Sequence, residues 1–175
     1  MNLIGGDYMD NFYEQLETSK EPANYKILKN AFIVFAVLAV LTLGMGLIVV
    51  AIFSLLVSGL AFFFKRKAYV EYEYVFTNGS VDIDAIYEMT RRKKMLTFDA
   101  KDVELLAEDN SNYVKDFSNA PDKTMKCYPT TSDKKVFVAM ITGGTERLQL
   151  RFTPNKEFIE MFYRYNPRAT KKVIG

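Results

Sequence analysis

The feature that most constrains this chain is a long uncharged block near its N-terminus, residues 31–64. One straight helix over this block would be roughly 51 Å long, whereas the hydrocarbon core of a bilayer is about 30 Å thick. Two spans of about 27 Å each fit if the first covers residues 27–44, the chain turns at residues 45–46, and the second covers residues 47–64. The sequence therefore predicts a transmembrane helical hairpin, with one long tilted span as the alternative.

Positive charges flank the uncharged block on both sides. The basic residues before it are Lys20, Lys26 and Lys29, and those directly after it are Lys65, Arg66 and Lys67. Because basic flanks favour the cytoplasmic side of a membrane, both ends of the predicted hairpin belong in the cytoplasm. A cleaved signal peptide is not favoured, since the block begins too late and is too long. We expect a multi-pass protein of the cell membrane, with its N-terminus and its C-terminal domain cytoplasmic.

The composition of the 175-residue chain excludes several classes of function. The chain has no histidine and a single cysteine, so histidine-based triads, zinc clusters and internal disulfides are excluded. Its formal net charge of +2 is far below the basic excess typical of nucleic-acid binding. Cys127 has no histidine to activate it, and its predicted strand favours an inert thiol. We therefore expect a non-catalytic protein with no cofactor and no nucleic-acid partner.

Three segments follow from these patterns: a polar N-terminal segment (1–25), the transmembrane hairpin (26–67) and a cytoplasmic domain (68–175). The N-terminal segment is acidic, and the spacing of Phe12 and Leu16 predicts a brief surface helix before Pro22.

The cytoplasmic domain begins with a clear β-hairpin signal. Asn78-Gly79 separates two alternating runs and supplies the positive φ angles of a two-residue turn. This turn sets the register, which predicts the opposed pairs Phe76–Val81, Tyr74–Ile83, Tyr72–Ala85 and Val70–Tyr87, all on one apolar face. The other face then carries the carboxylates Glu71, Glu73, Asp82 and Asp84.

The remaining strands and the last helix are predicted by similar patterns. A second hairpin covers residues 136–152 around a Gly143-Gly144 turn, pairing Phe137 with Leu150 and Ala139 with Leu148. Shorter strands at 95–98, 103–107 and 125–128 bring the total to about seven antiparallel strands. A C-terminal helix begins at Thr153-Pro154 and carries an apolar stripe of Phe158, Met161, Phe162 and Tyr165.

Seven antiparallel strands followed by one helix resemble the pleckstrin-homology-like fold, here in an α+β membrane protein. In amino-acid sequence, the chain resembles a small uncharacterised family of Firmicutes membrane proteins, which is known only as a domain of unknown function. Five segments carry this resemblance: 10–16 (DNFYEQL), 63–67 (FFKRK), 71–74 (EYEY), 131–135 (TSDKK) and 165–169 (YNPRA). The resemblance implies a bacterial membrane protein without assigned catalytic residues. It also implies that Met9 rather than Met1 could be the initiator.

The densest charge run is the candidate functional site. Arg91, Arg92, Lys93 and Lys94 are predicted in the connection after the second strand of the domain. Together with Lys65, Arg66 and Lys67 they could bind anionic lipid headgroups at about 1 kcal/mol each. The four could instead neutralise the acidic face of the first hairpin, and both interpretations stay open.

Other candidates are weaker. The four carboxylates Glu71, Glu73, Asp82 and Asp84 could in principle collect a hard cation, but strand alternation explains their spacing, and we expect no metal site. Pleckstrin-homology domains that bind phosphoinositides usually carry basic residues in the first hairpin loop. The corresponding loop here, residues 77–80, has none, so the fold does not imply that ligand.

Two functions remain open from the sequence. The first is a membrane-anchored, non-catalytic interaction module that presents its domain at the cytoplasmic surface for contact with a protein or with anionic lipid. The second is an accessory subunit of a transporter or envelope enzyme, bound through the hairpin. Small residues suited to helix packing would serve this second role: Gly44, Gly46, Ser54, Ser58 and Gly59. An unknown protein partner belongs to either function.

Overall fold

A computed structural model of the chain describes residues 11–18 and 20–171. The choice between Met1 and Met9 as initiator lies outside the described residues. Within the described residues, the helices α1 to α4, in chain order, are Ala23–Gly44, Ile48–Ala68, Asn112–Lys115 and Lys156–Tyr165, and a 3₁₀ turn covers Ala100–Asp102. Strands β1 to β8 are Phe12–Glu17, Val70–Thr77, Ser80–Tyr87, Arg91–Asp99, Val103–Glu108, Lys123–Lys126, Phe137–Ile141 and Leu148–Phe152.

Helices α1 and α2 form a tight antiparallel hairpin. Leu47 N–H donates to the Thr42 carbonyl at 2.9 Å, and Gly46 has a φ of 75°, a left-handed conformation that suits glycine. Small side chains of α2, including Ser54 and Ser58, are buried against α1, and Ser58 Oγ donates to the Phe32 carbonyl at 3.0 Å. Both helices are long and apolar enough to cross a membrane.

The first sheet has the order β1-β2-β3-β4 and is antiparallel throughout. The predicted register of its central hairpin is confirmed at all four pairs, from Phe76–Val81 at the turn to Val70–Tyr87 at the open end. Asn78 and Gly79 have φ values of 50° and 93°, as a type I′ turn requires. Local turn chemistry and alternation agree here, so the register needs no tertiary contact to select it.

The brief helix predicted near Phe12 and Leu16 is wrong. Phe12–Glu17 is a strand, β1, that pairs antiparallel with β2 from Phe12–Thr77 to Glu17–Tyr72. In a strand, Phe12 and Leu16 share the outer face, so their four-residue spacing fits both structures. The edge of β2 satisfies the backbone of this short segment, an option that an isolated helical turn in water lacks.

Buried polar contacts hold β1 in place. Gln15 Nε2 donates to the Thr153 carbonyl at 2.9 Å, and its Oε1 accepts from Asn155 N–H at 2.8 Å. Glu17, only 1% exposed, accepts from Lys134 Nζ at 2.7 Å and from Ser132 Oγ at 3.2 Å. Strand β1 is thus fixed to the loop before β7 and to the start of α4, in addition to β2.

The second sheet has the order β5-β7-β8-β6, and two of its predicted features are wrong. Strand β6 runs parallel to β8, so the domain is not wholly antiparallel. Phe137 pairs with Phe152 and Ala139 with Leu150, a shift of two residues from the predicted register. The shift of two keeps the same side chains on the core face.

Contacts from other segments explain the shifted register. Thr142 N–H donates to the Asp102 carbonyl at 3.0 Å, and a Cβ on Gly143 would lie 2.3 Å from the Asp102 side chain. On the other side of the loop, Arg147 N–H donates to Asp122 Oδ2 at 2.9 Å. Residues 142–147 therefore form a longer loop held on both sides, instead of a two-residue turn.

Helix α4 packs its predicted apolar stripe against the core between the sheets. Phe158 and Phe162 are fully buried, and Phe158 makes edge-on ring contacts with Tyr74, Phe76 and Phe152. The helix begins two residues later than predicted, because Asn155 rather than Thr153 caps it by accepting from Phe158 N–H at 2.9 Å. All seven predicted strand segments are present, and β1 is the eighth strand in the described part of the chain.

Replacing Lys134 with alanine tests the attachment of β1. Lys134→Ala leaves the buried Glu17 carboxylate without its cation, which we expect to lower the free energy of unfolding by about 1–3 kcal/mol. The loss is not larger because the Lys134 side chain is half exposed and water already screens the pair. The measurement is the apparent melting temperature of the full-length protein in detergent. Lys156→Ala, which removes an exposed ion pair with Glu160, is the control and should change little. Equal effects of the two variants would contradict the attachment.

Candidate functional site

The basic run lies in a strand and not in the predicted connection. Arg91, Arg92, Lys93 and Lys94 are the first four residues of β4, all exposed, at the edge of the first sheet. Successive side chains of a strand point to opposite faces, so the run is divided into two pairs. Arg91 and Lys93 lie opposite Tyr87 and Ala85, on the face that holds the core, while Arg92 and Lys94 lie on the outer face.

Arg92 and Lys94 are paired with the acidic face of the sheet. Arg92 Nη2 lies 2.7 Å from Glu73 Oε1, and Arg92 Nε lies 3.9 Å from Asp84 Oδ2. Lys94 Nζ lies 2.8 Å from Asp82 Oδ1. The neutralising interpretation therefore describes these two cations. Within the described residues, no three carboxylate or thiol groups lie together in a way that could hold a metal ion.

The carboxylates of this acidic face are not electrostatically equivalent. Burial raises the pKa of Glu73 above 4.5, and the Arg92 charge only partly offsets the combined effect of burial and of nearby Glu14 and Asp84. For Asp82, burial acts in the same direction, but hydrogen bonds from Lys94 and Thr97 outweigh it and lower the pKa below 3.8. Compared with the unfolded chain, the folded protein thus disfavours the ionised form of Glu73 and favours the ionised form of Asp82.

Arg91 and Lys93 line a pocket at the end of α2, together with two of the three basic residues that follow the uncharged block. Its volume is about 550 Å³. The cations Arg66 and Lys67 come from the last turn of α2, and the remaining lining residues are Phe63, Val70, Tyr87, Glu88 and Thr90. The structure therefore brings together four of the seven predicted site residues, which are separated in sequence by more than twenty positions.

The remaining cation in the last turn of α2, Lys65, is already in an ion pair. Its Nζ lies 2.7 Å from Glu88 Oε1 and about 5 Å from the centre of the Phe62 ring. Arg66 Nε lies 3.7 Å from the other Glu88 oxygen, which leaves its guanidinium group directed by the same carboxylate. The sequence carries no signal that selects Glu88, because its contacts with Lys65 and Arg66 depend on a turn that meets the end of α2.

That turn has an unusual backbone. Glu88 and Met89, between β3 and β4, have φ values of 47° and 57°, although neither is glycine or asparagine. The turn is held by Thr90 N–H donating to the Tyr87 carbonyl at 3.0 Å and by Glu88 N–H donating to the Tyr69 carbonyl at 3.1 Å. Without Gly, Asn or Pro, this turn carries no sequence signal, so the sequence predicts a start of β4 at residue 95, whereas the strand begins at Arg91.

Two other predicted features have plain structural roles. Cys127 is fully buried in the main core, and burial raises the pKa of its thiol to about 11, which disfavours the reactive thiolate. Ser54 and Ser58 are buried inside the α1–α2 hairpin, whereas Gly44, Gly46 and Gly59 have open space where a Cβ would be.

The architecture is that of a pleckstrin-homology-like domain in an α+β chain, with two apolar helices inserted after its first strand. Residues 9–172 match the family described as Bacterial PH-like domain (DUF6106), and the chain belongs to this family. The function of the family is unknown. No curated protein and no solved structure matches the chain. The predicted family resemblance is confirmed, and the Firmicutes origin stays a prediction.

The pKa directions predict opposite effects of two neutral substitutions. Glu73→Gln should raise the melting temperature at neutral pH, because the folded protein no longer holds a buried charge whose pKa is raised. This gain should fade as the pH falls, since folded wild-type protein then takes up the proton at Glu73. Asp82→Asn should lower the melting temperature at neutral pH, because it removes a carboxylate whose ionised form stabilises the folded protein. The difference from wild type should become smaller in acid, where Asp82 of the wild type is protonated as well. Melting curves of both variants in detergent, recorded between neutral and acid pH, test these expectations. Changes of the melting temperature in the same direction at neutral pH would contradict the opposite pKa directions of Glu73 and Asp82.

Proposed function

We propose that this protein is a membrane-anchored, non-catalytic interaction module. The hairpin α1–α2 crosses the bacterial cell membrane, and the pleckstrin-homology-like domain sits at its cytoplasmic surface, where it contacts anionic lipid. The absence of histidine and the burial of the one thiol favour a binding role over a catalytic one.

The surface of the hairpin supports membrane insertion. At 1.5 Å per residue, helices of 22 and 21 residues are roughly 30 Å long, which matches the hydrocarbon core of a bilayer. Large apolar side chains remain exposed along both helices, for example Val40, Val49 and Phe53. A buried helix pair in a water-soluble core would have these side chains covered.

The pairing of β1 with β2 is the observation that carries the proposal. Strand β1 ends at Glu17 before the hairpin, and β2 begins at Val70 directly after it. Their pairing requires both ends of the hairpin to lie on one side, next to the same sheet. One long span would place β1 and β2 on opposite sides of the membrane, so the pairing favours two spans and a domain held at the bilayer surface.

The positions of the basic residues support the proposed orientation and the proposed lipid partner. Lys20, Lys26 and Lys29 lie near the start of α1, and Lys65–Lys67 form the last turn of α2, so all six belong to the same end of the hairpin. The positive-inside rule places that end in the cytoplasm. Anionic lipids are enriched in that leaflet, and each nearby Lys or Arg is worth about 1 kcal/mol in attraction to it.

Cysteine labelling on whole cells tests the topology. In a Cys127→Ala background, Met45→Cys in the α1–α2 turn should react with a membrane-impermeant maleimide on protoplasts, which are cells without their wall but with an intact membrane. Lys101→Cys, on the exposed 3₁₀ turn of the domain, should react only after the membrane is permeabilised. Labelling of Lys101→Cys on intact cells, or protection of Met45→Cys in them, would contradict the proposed arrangement.

A further inference from the structure

We propose that the pocket at the end of α2 binds one anionic phospholipid from the adjacent leaflet. The phosphate lies among Arg66, Lys67, Arg91 and Lys93, and the glycerol and first acyl carbons lie against Phe63. This inference rests on the proposed membrane anchoring, and it replaces a diffuse basic surface with a discrete site.

The charge of the pocket is not balanced within the described residues. Among the described residues, no carboxylate lies within ion-pair distance of Lys67, Arg91 or Lys93. On the outer face, by contrast, Arg92 and Lys94 are both paired. Among the described residues of the lining, the one carboxylate is that of Glu88, which lies 2.7 Å from Lys65 and is neutralised by it. Exposed cations that converge from a helix end and a sheet edge create a local positive potential suited to a phosphate.

The pocket also has an apolar part that a free anion would not use. Phe63 is 55% exposed and lies one helical turn before Arg66 and Lys67, about 5 Å deeper along the axis of α2. Lys67 Nζ lies 4.5 Å from the centre of the Phe63 ring. This order, from apolar to cationic along the direction out of the bilayer, matches a lipid seated in its own leaflet.

The turn between β3 and β4 shapes the pocket on the domain side. Glu88 and Thr90 belong to the lining, and Met89 between them is 69% exposed. Left-handed conformations at two successive residues other than glycine cost free energy, and such strain persists where the surroundings impose it, often at functional sites. Here the strained turn places Glu88 where it can hold Lys65 and direct Arg66.

The alternation of β4 provides a matched pair of variants. Arg91→Gln/Lys93→Gln removes two cations from the pocket, and Arg92→Gln/Lys94→Gln removes two from the outer face of the same strand. The change of net charge is identical, and glutamine at 92 keeps a hydrogen-bond donor near Glu73. Full-length proteins in detergent are mixed with phosphatidylglycerol, and the fraction carrying one lipid is measured by native mass spectrometry, with circular dichroism as a check of folding.

We expect one retained phosphatidylglycerol per wild-type chain. The pocket variant should bind it about 25-fold more weakly, from about fivefold for each lost cation, while the outer-face variant stays close to wild type. Equal weakening in both variants, or no retained lipid in the wild type, would overturn the discrete site. Neither result would affect the cysteine-labelling test of the membrane anchoring, so the two proposals fail separately.

A second pair of measurements distinguishes the lipid from a free anion. Phe63→Ala should weaken retention of phosphatidylglycerol, and an excess of inorganic phosphate should not displace the lipid from the wild-type protein. Displacement by phosphate, together with an unchanged affinity of Phe63→Ala, would overturn the lipid assignment and indicate a site for soluble phosphate compounds.

Discussion

The pairing of β1 with β2 is the constraint on which the rest of this structure depends. The two strands are adjacent in the sheet but separated in sequence by the whole α1–α2 hairpin. Closing so long a loop is entropically unfavourable for a flexible chain, but a helical hairpin returns its ends to one place and removes most of that cost. The buried contacts of Gln15 and Glu17 then stabilise the edge strand, so the hairpin is joined to the domain by both of its ends.

This double attachment gives the basic residues their arrangement. Because α2 leads into β2 after Tyr69 alone, the last turn of α2 lies beside the open end of the β2–β3–β4 sheet. Alternation along β4 then divides four consecutive cations between two faces of the sheet. Arg92 and Lys94 offset the acidic outer face, whereas Arg91 and Lys93 join Arg66 and Lys67 around a pocket with an apolar base.

The two β-hairpins show where sequence reasoning succeeds and where it fails. At Asn78-Gly79 the turn chemistry and the alternation of both strands select one register, and the structure has it. At Gly143-Gly144 the local signal favours a two-residue turn. The contacts of Asp102 and Asp122 with the loop stabilise a longer connection instead, and the register is shifted by two residues. The parallel pairing of β6 with β8 likewise depends on distant segments and has no local signal.

The sequence by itself determined the apolar helix pair, the strand segments after it, the first hairpin register and the stripe of α4, because each depends on periodicity or turn chemistry within a short window. Only the tertiary structure decided that residues 12–17 form a strand, and that the basic run divides between an acidic face and a pocket. It also decided that Glu88 directs Lys65 and Arg66 at the end of α2. These features arise from contacts between residues far apart in the chain, and their free energy is available only once the sheet and the hairpin are assembled.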